Sequence, residues 1–229
     1  MKFISRALAL VFFVTTHAAP QSAKTPYPTM APLSRYLMPR DAEISLARSA
    51  APKSVSDDAE ILILTESGFQ TAVKGTNGFV CMVARSWSAD YDDPDFWDPK
   101  LRAPICYNAP AARSQVQATI KRTQVAMGGG SPDQVRAAVE AAIKSGELPT
   151  AEAGSMAYML SRQGYLSNRV RHWHPHLMFF TTETDPKSWG AGLPDSPILG
   201  IEFPKEHLTV FLIPVGRWSD GTPSVPEEH

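Results

Sequence analysis

The segment between residues 60 and 84 constrains the fold more than any other part of this sequence. Three runs rich in β-branched, leucine and aromatic residues read as strands, at 60–65, 69–73 and 79–84. The second and third runs are separated by five residues that end in Asn77-Gly78, and an Asn-Gly pair supplies the positive-φ positions that a tight hairpin requires. We therefore predict an antiparallel meander of three strands, with Cys81 on the third.

The rest of the chain contains both helical and strand-like patterns. Asp41, Asn108 and Ser131 can each cap an amphipathic stretch, which predicts helices at 41–50, 108–127 and 131–145. Further strand-like runs are found at 154–160, 176–182, 198–203 and 208–215. These elements predict an α+β fold, with a mainly antiparallel sheet of about five to seven strands and helices largely on one face.

Residues 1–19 have the three-part plan of a secretory signal peptide. Lys2 and Arg6 precede an apolar run at 7–14, and small residues suited to cleavage follow it. The run is much shorter than the roughly 20 residues that a membrane helix needs, and no later stretch approaches that length. We therefore expect a protein exported to the periplasm or the cell exterior, with no transmembrane segment once the signal is cleaved.

The remaining chain divides into three parts by composition. Residues 20–39 include five prolines among small and polar residues, which predicts an extended or mobile leader. Residues 40–216 carry the predicted helices and strands as a single α+β domain. Residues 217–229 contain turn-forming residues and predict a flexible tail.

The charge balance argues against nucleic acid as a partner. The chain has 22 Lys and Arg residues against 23 Asp and Glu residues, for a formal net charge of −1. Such a chain has no global positive field to attract a polyanion.

The two cysteines, Cys81 and Cys106, are expected to form a disulfide. In an oxidising compartment an even pair at this spacing is more often a bridge than a pair of reactive thiols. We expect the bridge to join the third strand to the loop before the first long helix. In the chain-entropy view, closing a loop of this length stabilises the fold by roughly 3 kcal/mol.

Three alternating histidines, His172, His174 and His176, lead into the most apolar strand-like run of the C-terminal half. In an extended chain they project from one face, and neutral imidazoles on one face suit a Zn, Cu or Fe site. The outer pair would be roughly 13 Å apart at the backbone, so a straight strand supplies two of them at most. The sequence offers further metal ligands elsewhere in the chain: His207, Glu202, Asp185 and Glu183.

A purely structural interpretation of the same histidines stands beside the metal site. Pro175 cannot donate to a strand ladder, so the strand can begin at His176 and leave the other two histidines on a solvated loop. His176 would then be half-buried, with its ring bonded to a backbone carbonyl. A histidine acting as a general base without metal is a third interpretation.

Calcium binding is one interpretation of the acidic loop at 90–98. Its closely spaced carboxylates supply the oxygen ligands that a hard cation needs, but their spacing does not fit an EF-hand loop. Aspartates of this kind are also common in turns, where the side chain bonds nearby backbone N–H groups. Turn chemistry is the interpretation we favour.

Three segments of the chain stand out together: Lys74-Gly75-Thr76-Asn77-Gly78-Phe79-Val80-Cys81-Met82, Pro175-His176-Leu177-Met178 and Ile213-Pro214-Val215. With the second cysteine, they resemble a family of uncharacterised exported bacterial proteins, which show a Gly-Thr-Asn-Gly-Trp-x-Cys hairpin, a later cysteine and a Pro-His-Leu-Met strand. Phe79 stands where tryptophan is usual. The resemblance implies export and a shared fold rather than a reaction. It also favours His176, with Asn77 and the bridged cysteines, as a candidate pocket.

These observations lead to two hypotheses of different classes. The first is an exported, non-catalytic protein that binds a small molecule or another envelope component. The second is a metal-dependent, hydrolytic enzyme that uses the cluster from His172 to His176. The sequence has no Gly-x-Ser-x-Gly motif, and a bridge between the cysteines excludes a Cys-His nucleophile.

Overall fold

The computed structural model describes residues 27–167 and 173–224. The strands are β1 (Glu60–Thr65), β2 (Gly68–Val73), β3 (Val80–Ala84), β4 (Ala103–Tyr107), β5 (Met156–Met159), β6 (His176–Thr181), β7 (Leu199–Phe203) and β8 (Leu208–Pro214). The helices are α1 (Arg40–Arg48), α2 (Lys53–Ser56), α3 (Ala109–Ala111), α4 (Gln117–Met127) and α5 (Pro132–Ser145). A π-helical turn, Ala112–Val116, joins α3 to α4, and short 3-10 turns lie at Leu33–Arg35, Ser86–Ser88, Pro186–Trp189 and Pro204–Glu206.

All eight strands form one sheet in the order β2-β1-β3-β4-β5-β6-β8-β7. Neighbouring strands are antiparallel except β1 and β3, which are parallel. The α+β class and the mainly antiparallel sheet are therefore confirmed. The sheet is larger than the predicted five to seven strands because β4 lies in a stretch that the sequence pattern assigned to a loop.

The predicted meander is wrong in one connection. Strand β2 pairs with β1, whereas β3 lies on the other side of β1 and runs parallel to it. The Asn-Gly segment therefore carries the chain past the start of β1 instead of closing a hairpin. Asn77 holds this crossing: its Nδ2 donates to the Val55 carbonyl at 2.7 Å, and its Oδ1 accepts from the Phe79 N–H at 3.0 Å.

Helices pack on both faces of the sheet. Leu46 and Ala47 of α1 pack in one cluster with Ile61 and Val83. The residues that alternate with these along the strands, such as Met82, point to the opposite face and share a different cluster with residues from α3 and the π turn. The first face therefore carries α1, and the second face carries the long helix that contains α4.

The disulfide and two of the three predicted helix caps follow the sequence. The prediction for Asp41 is wrong, because α1 begins at Arg40 after Pro39 and Asp41 lies in its first turn without capping it. Cys81 and Cys106 are directly opposite each other on the antiparallel strands β3 and β4, and their sulfurs are joined. Cys106 therefore lies inside a central strand and not in a loop. The Asn108 side chain caps α3, and Ser131 forms the predicted capping box at the start of α5.

The described parts of the leader and the tail pack against the domain. Tyr36 is fully buried, and its hydroxyl donates to the Trp97 carbonyl at 2.8 Å. In the tail, the Ser219 N–H donates to the Leu160 carbonyl at 2.9 Å, and the Trp218 ring contacts Trp173. The predicted signal peptide, residues 1–19, lies outside the described residues.

None of the helices within 27–167 and 173–224 combines the length and the apolar character needed to cross a membrane.

Candidate functional site

A cavity of about 350 Å³ lies against the second face of the sheet, on the side that carries α4. Its apolar wall comes from side chains that alternate along six strands and share that face. They include Ala84 of β3, Ile105 of β4, Met159 of β5, Met178 and Phe180 of β6, Val210 and Leu212 of β8, and Ile201 and Phe203 of β7. This alternation is what a strand with one face toward a core produces.

Helix α4 and the preceding π turn form the other wall. Ala118, Thr119 and Arg122 line the cavity from α4, and Gln115 lines it from the π turn. Ala118 and Thr119 follow Gln115 by three and four positions, and Arg122 follows them by four and three, which places all four on one side of the helix. The Thr119 hydroxyl donates to the Gln115 carbonyl at 2.9 Å and so is satisfied within the helix.

Arg122 and Glu206 line the polar end of the cavity, and Tyr91, which does not line it, contacts both of them. Arg122 Nη2 is 3.2 Å from Glu206 Oε1, and the Tyr91 hydroxyl donates to the same oxygen at 2.8 Å. The Arg122 guanidinium also lies over the Tyr91 ring, 4.2 Å from its centre. Arg122 is 9% exposed and Glu206 8%, so a buried ion pair borders a largely apolar space.

Burial controls the acidity of both tyrosines near this end. Loss of solvation raises the pKa of Tyr91, and the neighbouring Glu206 carboxylate raises it further against the opposing effect of Arg122. Loss of solvation also raises the pKa of Tyr107, which lines the cavity from β4, to about 12. Both hydroxyls therefore stay protonated at neutral pH and act as neutral polar groups.

Arg85 brings a second ion pair to the cavity wall. It lines the cavity just after β3, and its Nη2 is 2.8 Å from Glu43 Oε1. The charge of Arg85 is therefore compensated inside the protein. The two arginines that border the cavity are each paired with a carboxylate.

Strand β7 leaves one border of the cavity exposed to solvent. Ile201 lines the cavity and is 43% exposed, while Leu199, two residues earlier on the same face, is 59% exposed. We call these two side chains the β7 rim. Both are among the few large apolar side chains that are exposed in the described residues.

Neither His174 nor His176 lines this cavity. His174 is exposed, and His176 is partly buried with its Nδ1 2.9 Å from the His174 carbonyl oxygen. Burial lowers the pKa of His176, and the bond to that carbonyl opposes the shift. This geometry matches the structural interpretation of His176, and His172 lies outside the described residues.

The other ligands considered for a metal have separate roles. His207 Nδ1 pairs with Glu183 Oε1 at 2.8 Å on the surface, and Asp185 caps the turn at Pro186–Trp189. In the described ranges, no group of three or more His, Cys, Asp or Glu residues is arranged to hold a metal ion. The three-histidine site therefore has no support from the described residues.

Asn77 and the acidic loop are also explained by local structure. Asn77 holds the crossing before β3 and does not line the cavity, and strands β4 and β5 lie between β3 and the strand of His176. In the loop, Asp93 Oδ1 accepts from the Asp95 N–H at 2.7 Å, and Asp98 Oδ1 accepts from the Lys100 N–H at 2.8 Å. These are the turns that aspartate side chains typically form.

No family model, curated protein or solved structure matches this chain. The family resemblance of the hairpin therefore stays a prediction, and so does its implication for His176 and Asn77. The candidate site rests on the geometry of the cavity.

Proposed function

We propose that this protein is an exported, non-catalytic binding protein that holds a small, largely apolar molecule in the cavity beside α4. The observation that carries the proposal is an apolar space of about 350 Å³ with a buried ion pair, Arg122 and Glu206, at one end. Ligand sites in proteins are typically concave and mostly apolar, with a few convergent polar groups, and they begin at about this volume.

The apolar lining explains why such a space favours a ligand. A cavity lined by side chains such as Ile105, Phe180 and Val210 offers water few hydrogen-bond partners. An apolar molecule that enters gains dispersion contacts with these side chains and loses its own contact with water. The paired charges at the end then fix the orientation of whatever polar group the ligand carries.

Two features support export. The sequence at 1–19 has the pattern of a signal peptide. The Cys81–Cys106 bridge belongs to an oxidising compartment such as the periplasm or the cell exterior. The mass of the mature protein tests this part of the proposal, since cleavage after Ala18 or Ala19 removes a defined segment.

Binding of a neutral fluorescent probe, N-phenyl-1-naphthylamine, to the purified mature protein tests the cavity directly. We expect saturable binding with enhanced fluorescence. The Ala118→Phe variant places a ring in the cavity from α4, and Val210→Phe places one from the sheet; both should abolish binding. Ala137→Phe is the matched control, because Ala137 is exposed on α5.

The outcome separates binding in the cavity from binding elsewhere. Thermal melting establishes that each variant is folded. Failure of the wild-type protein to bind the probe would contradict the proposal. Equal binding by the wild-type protein and both filled variants would place the probe on the surface and contradict it as well.

A further inference from the structure

We propose that the natural ligand is a neutral single-chain amphiphile of the alcohol class, with its hydroxyl at Glu206 and its chain along β8 toward the β7 rim. This inference rests on the proposed binding function and adds the chemistry and direction of the ligand. Three observations carry it: the course of the apolar wall, the free acceptor capacity of Glu206 and the charge balance at the polar end.

The apolar wall runs in one direction away from the polar end. Glu206 lies in the turn just before β8, and Leu208, Val210 and Leu212 follow at alternate positions that all line the cavity. The strand advances about 13 Å from Leu208 to Leu212. A flexible chain can lie along this row in an extended form.

The far end of that row meets the exposed rim. Leu212 pairs with Leu199 across β8 and β7, and Val210 pairs with Ile201. Exposed apolar side chains that adjoin a cavity offer a surface for further apolar contact. The end of a chain that leaves the cavity would cover the β7 rim.

Glu206 has capacity for one more donor. Both of its hydrogen bonds from the described residues, from Tyr91 and from Arg122, go to Oε1. A carboxylate has two oxygens with about four acceptor positions, so Oε2 can accept from a ligand hydroxyl. A hydrogen bond to a charged acceptor in a poorly solvated place is stronger than one between neutral groups.

The charges at this end disfavour ionised head groups. Arg122 already donates to Glu206 and to the Ala89 carbonyl at 2.9 Å, so it is engaged within the protein. A carboxylate head would meet the charge of Glu206, and Asp90 adds a second negative group to the lining. An ammonium head would have to share the Glu206 carboxylate with Arg122, which already donates to it at 3.2 Å. A neutral donor brings no further charge to this pair.

Displacement of N-phenyl-1-naphthylamine by four compounds of equal chain length tests this inference. The compounds are decanol, decyl methyl ether, decanoate and decylamine, at neutral pH. We expect decanol to displace the probe at a concentration at least about tenfold lower than the other three, the factor expected for one hydrogen bond to a charged group.

The Glu206→Gln variant tests the role of the carboxylate. This change removes a negative charge and leaves Arg122 without its counter-charge, so decanoate should gain at least about tenfold relative to decanol. Glu202→Gln is the matched control, because Glu202 is exposed on β7 and does not line the cavity. It should leave the order of the four compounds unchanged.

The results distinguish failure of this inference from failure of the proposed function. If the wild-type protein binds the probe but shows no preference among the four compounds, or prefers decanoate or decylamine, the alcohol class is wrong and the binding function stands. If the probe does not bind, the binding function itself fails. The wild-type series is decisive even if Glu206→Gln does not fold.

Discussion

Arg85 and Glu43 form a fully buried ion pair, with side-chain exposures of 0% and 1% and 2.8 Å between Nη2 and Oε1. The pair joins the end of β3 to α1. Glu43 Oε1 also accepts from the Leu64 N–H at 3.0 Å, and Arg85 Nε donates to the Tyr36 carbonyl at 2.8 Å. One pair of charges therefore connects α1, two strands of the sheet and the segment before α1.

Replacing Glu43 should strongly destabilise the protein. Glu43→Gln leaves the Arg85 guanidinium buried without a counter-charge, and breaking a buried pair in this way costs about 3–5 kcal/mol of the free energy of unfolding. Urea unfolding followed by tryptophan fluorescence measures the change. Glu152→Gln is the control, because the Arg113–Glu152 pair is exposed. Similar unfolding midpoints for the two variants would contradict the structural role of the buried pair.

Gly75 is predicted to tolerate no side chain. A Cβ at this position would lie 2.1 Å from the Glu60 nitrogen and 2.7 Å from the Ala59 carbonyl carbon, where the chain crosses the start of β1. Because both contacts are with backbone atoms, Gly75→Ala should lower the free energy of unfolding, measured by urea titration, by about 1–3 kcal/mol. Gly216→Ala is the control, since a Cβ there meets nothing within 4 Å. An unchanged midpoint for Gly75→Ala would contradict the crossing.

Most of the secondary structure was predictable because it depends on local patterns. β1 has its predicted bounds, Glu60–Thr65, and the capping box at Ser131 begins α5 as expected. β4 was missed because Pro104 argues against a central strand. The structure accommodates this proline because β5 pairs only with Cys106 and Tyr107. The half of β4 that contains Pro104 therefore has a partner strand on one side only.

Local sequence patterns do not determine how β2 connects to β3. An Asn-Gly pair predicts a tight reversal, and the φ of Gly78 is indeed +78°. Which strand then becomes the neighbour depends on contacts made by residues distant in sequence. Here Asn77 bonds to the Val55 carbonyl, which draws the loop across the start of β1.

The polar end of the cavity was not predicted because its members are far apart in sequence. Arg122 and Glu206 are separated by 84 residues and meet only through the tertiary fold. One signal was present: Arg122 follows Thr119 and precedes Ala126 on the buried side of α4. A charged residue on the buried side of an amphipathic helix indicates a buried partner, but nothing in the sequence identifies that partner as Glu206.

Reduction of the disulfide should weaken the fold by an amount set by the loop that it closes. Cys81 and Cys106 are 25 residues apart, and a loop of this size corresponds to roughly 3 kcal/mol in the chain-entropy view. Adding a thiol reductant should lower the free energy of unfolding of the wild-type protein, measured by urea titration, by roughly 3 kcal/mol. The Cys81→Ala/Cys106→Ala double variant should be less stable and indifferent to the reductant. If the reductant destabilised both proteins equally, its effect would not come from a Cys81–Cys106 bridge, and the bridge would be contradicted.

The free energy of unfolding should fall in mild acid because of His176. Burial lowers the pKa of His176 below its ordinary value of 6.5, so the unfolded chain takes up the proton at a higher pH than the folded protein does. The neutral ring contributes its full stabilisation above pH 6.5. This stabilisation is lost as the pH falls from 6.5 toward the lower pKa of His176 in the folded protein. His176→Gln should flatten the dependence measured by urea unfolding over this interval, whereas His174→Gln, at an exposed position, should preserve it. Equal slopes for the wild-type protein and His176→Gln would show that the ring is not buried in its neutral form.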